Sequence, residues 1–407
     1  MRVTSTTMRA VDETVDAVNG LTARWAERTD GGTTFSAAGV WPLLAFLADA
    51  ASGETRAQLA EAVGLPAERA ARAAREGIVA LDALRGVDLA VGLWSSRKLK
   101  VREEWAAGLP SHAHRKLSGW LRHDRKALDA WAAERTRGRI QRMPVELNKD
   151  SLLVLASALA LETRWIRPFT PDSARPVSGP WEGRELAGLS RTTALLDRVG
   201  VADTPDGQVT DLRVVGTGGI DVHLLLGEEQ MTAGRVLKAG VDVLAGRHRL
   251  VPGSRLPYGE AGPGVRVAEV RSFRPVPPRL HVSTVAFDIA ANHDLMARAD
   301  LFGLGSAGDP SAGHFPGISG RPMAIGSARQ AVTAAFTDEG FKAAVVTAME
   351  MAAGSAPLPE EKYVNTEVYA TFRRPFGFLA VHRASRLVLT AGWVTDPNPY
   401  REARGEW

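Results

Sequence analysis

The chain has 407 residues, 45% of them hydrophobic and 24% charged, with a formal net charge of +4 and no cysteine. That length can bury a large core in one to three domains, while the missing thiols exclude disulfides, thiolate nucleophiles and Cys-ligated metal centres. No apolar run is long enough to span a bilayer, and the arginines are spread along the chain rather than gathered in a nucleic-acid motif.

The first twenty residues, "MRVTSTTMRAVDETVDAVNG", have no apolar signal core, and their acidic residues do not suit a transit peptide. The expectation is a cytoplasmic protein with no membrane partner. Val40, Leu43, Leu44 and Leu47 recur at helical spacing and predict a buried helix that stops at Gly53, read as a left-handed cap. Thr55 and Gln58 read as a capping box for a short helix whose inner stripe is Leu59, Ala62 and Val63, ended by Gly64 and Pro66. A further helix over "RKALDAWAAERTRGRI" sets Leu128 and Trp131 on one face and closes near Gly138. "SLLVLASALALETRWIRPF" fits a buried helix or a central strand equally well, because a continuous apolar run has no diagnostic period.

Beyond it the pattern becomes extended. "IDVHLLLG" alternates through Val222, Leu224 and Leu226, and "RLHVSTVAFDI" also reads as strand. The Gly/Pro-rich stretch from about Gly240 to Pro278 reads as hairpins and loops, so the expectation is a single α+β domain over residues 1–407. Trp41, Trp94, Trp120, Trp131 and Trp165 are assigned to core and surface clefts rather than to nucleotide stacking.

Several local signals carry no chemistry. "GLGSAG" at 303–308 is followed by Asp309 and Pro310 where a nucleotide-binding helix would open, so it is a loop. His112 and His114 lack a third ligand at metal-site spacing, and no metal or cofactor is expected. The basic stretch 112–126 is a solvated face or a weak polyanion contact. No Gly-x-Ser-x-Gly elbow is present, Glu360 and Glu361 read as loop-solvating charges, and no catalytic residue is assigned.

One passage does stand out: "TDEGFKAAVVTAMEMAAGSAPLPEEKYVN", residues 337–365. Phe341, Ala343, Val345, Thr347, Met349 and Met351 alternate with Lys342, Ala344, Val346, Ala348 and Glu350, so both charges fall on one face of a strand. On these residues alone an edge strand or a short Ala-rich helix fits as well. Asp338, Glu339 and Gly340 just ahead are read as a backbone reversal allowed by the glycine.

Taken in order, "FSAAGVWPLLAFLADAASGETRAQL", "WAAERTRGRI" (Trp131, Thr136, Gly138, Ile140), "ALETRWIRPF" (Trp165, Pro168, Phe169), "HFPGISG" and "RRPFGFLAVHRASRLVLTAGWVTDP" (Pro375, Phe376, Gly392, Val394, Pro397) resemble the serpin family over nearly the whole chain. The resemblance implies N-terminal helices packed on a large mixed central sheet, smaller sheets, and an exposed reactive-centre loop, here about 341–368. It implies a monomeric suicide inhibitor whose partner is a serine protease. The loop is cut near Gly354 and Ser355 and inserts into the sheet, with Asp338, Glu339 and Gly340 as hinge and Phe341, Ala343, Val345 and Thr347 leading the strand.

Met351 to Gly354 suit an elastase- or subtilisin-like enzyme, and the loop's length leaves Lys362 or Tyr363 as a downstream alternative. An inhibitor of this family is often extracellular, against the cytoplasmic reading of the N-terminus. Ser36, Trp165 and Gln330 belong to the sheet-opening region, where the family's Asn, Ser, Ser and His correspond to Gly32, Ser36, Gly39 and Gln330, and Ser157 replaces a further Asn. The expectation is a depleted hydrogen-bond network and a steric penalty for Phe341 entering a packed sheet. The alternative is a non-inhibitory member with a binding or small-molecule role; a nucleic-acid or polyanion binder is a third class.

Overall fold

The computed structural model describes residues 5–148, 151–311, 313–341 and 363–401. The first part runs α1 (Ser5–Ala26), β1 (Thr33–Phe35), α2 (Ala37–Ala50), α3 (Gly53–Val63), α4 (Ala67–Asp82), β2 (Val87–Ser96), α5 (Glu103–Ala107), β3 (His114–Leu117) and α6 (Leu121–Arg135). Every residue of α2 except Asp49 is buried, and the Ser36 hydroxyl caps it by accepting from the Gly39 N–H at 3.0 Å.

Helix α2 ends on Ala51 in extended conformation; Gly53 is left-handed, as expected, but opens α3 instead of closing α2. The predicted capping box is absent because its members have other partners. Thr55 is buried with its hydroxyl 2.8 Å from His314 Nδ1, while the Gln58 amide donates to Glu54 at 2.8 Å. Gly64 does close α3 at φ +72°, donating to the Ala60 and Glu61 carbonyls. In α6, Leu128 and Trp131 are buried as expected, and the chain turns away through Arg137 and Gly138, both at positive φ. Trp41, Trp94, Trp131 and Trp165 are buried, but Trp120 is 78% exposed because it precedes α6 outside the core.

The remainder comprises β4 (Leu153–Leu161), β5 (Thr163–Arg164), β6 (Thr170–Ala174), β7 (Leu186–Thr193), β8 (Val199–Thr204), β9 (Gly207–Val215), β10 (Ile220–Gly227), α7 (Ala233–Leu244) and β11 (Leu250–Pro252). It continues with β12 (Gly259–Gly262), β13 (Val265–Ser272), β14 (Arg279–Val285), β15 (Phe287–Asp294), α8 (Ala299–Phe302), β16 (Ile325–Phe336), β17 (Gly340–Phe341), β18 (Tyr363–Thr371), β19 (Phe376–His382) and β20 (Leu387–Val394). The undecided apolar run is strand β4, buried along its whole length. "RLHVSTVAFDI" is two strands, β14 and β15, which belong to different sheets and part where the Ala286 N–H donates to the Ala187 carbonyl at 2.8 Å. Gly240 lies in helix α7 rather than in a loop; a Cβ there would meet Leu225 Cδ1 at 2.1 Å, so the glycine lets α7 rest on β10.

Among the described residues three sheets result, giving an α+β fold. One has the order β1-β20-β19-β10-β9-β8-β11, and a second β12-β13-β18-β14-β7-β6. The third, central sheet has the order β3-β2-β4-β16-β17-β5, with β15 on the other edge of β16. It is mixed, since β4 and β16 run parallel while β2 and β4 run antiparallel. The expected loop span of 341–368 is corrected at both ends: Phe341 is in β17, and residues 363–368 are in β18, paired with β13 and β14.

Candidate functional site

The site is the seam between β4 and β16. Over its lower part the two strands pair directly and in parallel, from Ile325 opposite Leu153 to Val332 opposite Leu159. Above that they part. β5 prolongs the line of β4, and β17 lies between β5 and β16, with Phe341 opposite both Thr163 and Phe336.

The chain doubles back from β16 to β17 through Thr337, Asp338, Glu339 and Gly340. Thr337 N–H and hydroxyl both donate to the Gly340 carbonyl, at 2.8 and 3.0 Å. The outer rim clasps this turn from the other side. Trp165 N–H donates to the Glu339 carbonyl at 2.8 Å, Trp165 Nε1 to the Thr337 carbonyl at 2.8 Å, and Phe169 N–H to the Asp338 carbonyl at 2.8 Å. Burial, with a contribution from neighbouring Glu339, raises the Asp338 carboxyl above the usual aspartate value.

Gly340 is not in a left-handed conformation, so the expected reversal is not what requires it. A Cβ at this position would meet the Thr163 carbonyl oxygen at 2.4 Å, and only glycine allows so close a strand approach.

The steric penalty expected for Phe341 is also absent, because the ring already has a place. Phe341 is fully buried with its centroid 5.8 Å from Phe378. Around it, Phe336 packs 4.8 Å from Trp165 and 5.6 Å from both Phe169 and Phe287, and Phe287 stacks 5.1 Å from Phe378. Sequence reasoning misses this aromatic cluster, although "FTDEGF" carries a signal for it: two phenylalanines flanking four turn-forming residues.

Midway along the closed part, a polar cluster joins the seam to the start of α2. The Gln330 side chain accepts from Ser36 N–H at 2.9 Å and donates to the Ser36 carbonyl at 2.7 Å. Ser36 Oγ donates to the Leu389 carbonyl at 2.6 Å, and Ser157 Oγ to the Gly39 carbonyl at 2.8 Å, with Gln330 Nε2 3.5 Å from Ser157 Oγ. Gln330 and Ser157 are opposite each other in the strand register. The network is complete, against the expectation of depletion: a Cβ on Gly39 would approach Ser157 Oγ to 2.8 Å, so the glycine makes room for the serine and glutamine pair. Gly32 does not take part; it lies beside Thr395.

Ser36, Trp165, Gln330, Asp338, Glu339, Gly340 and Phe341 are thus brought to one seam, whereas Ala343, Val345, Thr347, Gly354 and Ser355 lie outside the described residues, as does Lys362. Tyr363, a candidate cleavage position, opens strand β18 opposite Ser272. The basic stretch 112–126 does not form one face: His114 bonds Ser95 at 2.9 Å from strand β3, Arg115 covers the Trp94 ring, and Asp124 holds the Ser118 and Gly119 N–H groups. Among the described residues no group of three or more His, Asp or Glu side chains could hold a metal.

Comparison with known proteins places this architecture. The model of the family described as "Serpin (serine protease inhibitor)" matches residues 17–178. A putative serpin-Z6C of Oryza sativa subsp. japonica is 25% identical over 396 residues, covering 90% of this chain and 91% of the relative. Among solved structures, the native state of the thermophilic serpin tengpin superposes with a TM-score of 0.71 at 12% identity, covering 97% of this chain and 95% of that one. Human thyroxine-binding globulin complexed with thyroxine gives 0.71 at 15% identity, with 96% and 99% covered. The early helices and β4 fall within the match to the serpin family model, and the likeness to solved serpins over nearly the full length shows that this chain has the serpin fold.

Proposed function

We propose that the protein inhibits a serine protease by accepting its own cleaved loop into the seam between β4 and β16. The observation that carries this reading is the wedge: Gly340 and Phe341 already occupy the gap between β5 and β16 while β4 and β16 touch directly below. Continuing the Phe341–Phe336 pairing down the seam sets Ala343 opposite Ala334, Val345 opposite Val332 and Thr347 opposite Gln330. Ala352 would then face Ile325 at the far end of β16, so the bond after Gly354 emerges just beyond the sheet.

In chemical terms, the protease serine oxygen attacks the Gly354 carbonyl and the amine of Ser355 departs, leaving an ester to the enzyme. The freed strand replaces one ladder between β4 and β16 with two. That net gain of roughly ten backbone hydrogen bonds, at about 1 kcal/mol each, is the driving force for carrying the protease along before the ester is hydrolysed. Thr347 arrives on the Gln330 and Ser157 side with a hydroxyl suited to that polar cluster. Incubation with elastase-like, subtilisin-like and trypsin-like proteases tests the reading: a complex that survives denaturation supports it, and loop cleavage without a complex across the panel counts against it.

A second reading, a non-inhibitory serpin that binds a small molecule, is favoured by one feature. A cavity of about 240 Å³ lies between α1, α2 and α4, walled by Val18, Trp41, Leu81 and Leu387 with His382 at one side. The globulin to which the chain is similar is complexed with thyroxine. Saturable binding of an apolar ligand, lost in Ala74→Trp, together with an absence of protease complexes would favour this reading.

A further inference from the structure

At the rim that clasps the hinge, Arg167, Arg191 of β7 and Arg198 converge on a cavity of about 70 Å³ whose other walls include Ile166, Thr193 and Leu195. Among the described residues no carboxylate lines it. Arg191 Nη1 donates to the Arg167 carbonyl at 2.7 Å and its guanidinium lies 4.3 Å from the centre of the Phe169 ring, but its Nε is buried without an acceptor. The nearby acids are engaged elsewhere: Asp221 receives Arg383 at 2.6 and 2.9 Å, and Asp197 accepts from the Ser254 N–H at 3.0 Å.

Such an arrangement is costly without a counter-charge. Burial, then Arg198 and Arg167, pull the Arg191 pKa down to about 10, and Arg198 is lowered by burial and by Arg213, with Asp221 opposing the shift only in part. Guanidinium forks are the side chains best suited to oxyanions, which they bind with paired, charge-assisted N–H···O bonds.

We propose that this cavity binds a single tetrahedral oxyanion, phosphate or sulfate. The three guanidinium groups share its charge and the Thr193 hydroxyl is available as a fourth donor. Because Arg167 follows Trp165 and Arg191 covers Phe169, an anion here ties β7 and the 196–198 turn to the rim segment whose N–H groups hold Asp338 and Glu339. Binding does not depend on protease inhibition.

The test is titration of the full chain with inorganic phosphate, inorganic sulfate or a short sulfated oligosaccharide, at ionic strength matched with sodium chloride, followed by calorimetry and thermal unfolding. The expected result is saturable one-to-one binding of both inorganic ions with a rise in Tm that saturates likewise. Arg198→Gln and Arg167→Gln should each weaken it about tenfold, the effect of losing one charge-assisted contact, whereas Arg122→Gln on α6 should leave it unchanged. Arg167 is exposed, so its variant keeps the test valid where Arg198→Gln fails to fold. Equal stabilisation of wild type and both variants would mean general salt exclusion from the surface and would overturn the proposal, as would binding confined to the sulfated oligosaccharide.

Discussion

The two ends of the β4–β16 seam are fastened in different ways. At the lower end the strands pair edge to edge, and Gln330, Ser157 and Ser36 bind them to the start of α2 through hydrogen bonds in which both partners are buried. At the upper end a two-residue strand separates them, and an aromatic side chain fills the opening. Polar bonds have a sharp optimum of distance and angle, so they hold a register and fail together when strands slide apart. Apolar packing is non-directional, so the Phe341 ring fills the gap without itself setting a register. The seam is therefore open at one end and latched in the middle, and any strand entering from the top must pass the latch.

Variants separate the two fastenings. Phe341→Ala leaves a cavity inside the aromatic cluster and should cost about 3–5 kcal/mol, read from denaturant unfolding of the uncut protein; a loss below about 1 kcal/mol would mean that the ring is not buried in solution. Gln330→Ala strands the Ser36 N–H and carbonyl and should cost about 2–3 kcal/mol. Ser157→Ala removes the bond to Gly39 and the long 3.5 Å contact with Gln330, and should cost about 1 kcal/mol. Combining Gln330→Ala with Ser157→Ala should depart from additivity because the side chains touch, whereas either combined with Phe341→Ala should add. Additivity in all pairs would dissolve the latch into independent contacts.

The smallest effect concerns pH at the turn. Burial raises the Asp338 carboxyl, so the folded state binds its proton more tightly than the unfolded chain does. Stability from this group is full below the ordinary aspartate value of 3.8 and declines as pH rises through that value toward the raised folded one. Asp338→Asn should therefore match wild type in acid and exceed it slightly near neutrality, as thermal melts across that range would show.

The sequence discloses these features unequally, for physical reasons. Gly64 ends α3 as expected because a left-handed cap is a local decision between neighbours. Thr55 misleads because its partner, His314, is 259 residues away. Strand β4 is undecidable from sequence since burial on both faces erases alternation, and α7 is hidden in a Gly-rich stretch because Gly240 answers to Leu225 across the core. Tyr363 to Val368 belong to a strand, yet the family resemblance assigns them to a loop. At the seam, Ser36, Gln330 and the hinge are identified by resemblance. The complete bonding of Gln330 and the prepared place for Phe341 are not, because each depends on residues contributed from distant strands.

The most direct test of the central claim is the thermal unfolding of the protein before and after a single cut in the loop by a protease, the cut position being confirmed by mass. Entry of residues beyond Phe341 into the seam should raise Tm by more than about 10 °C, as expected from roughly ten added backbone hydrogen bonds in a chain of this size. A cut protein that melts at or below the temperature of the intact one would contradict the account, leaving β17 as a fixed short strand between β5 and β16 and the seam below it permanently closed.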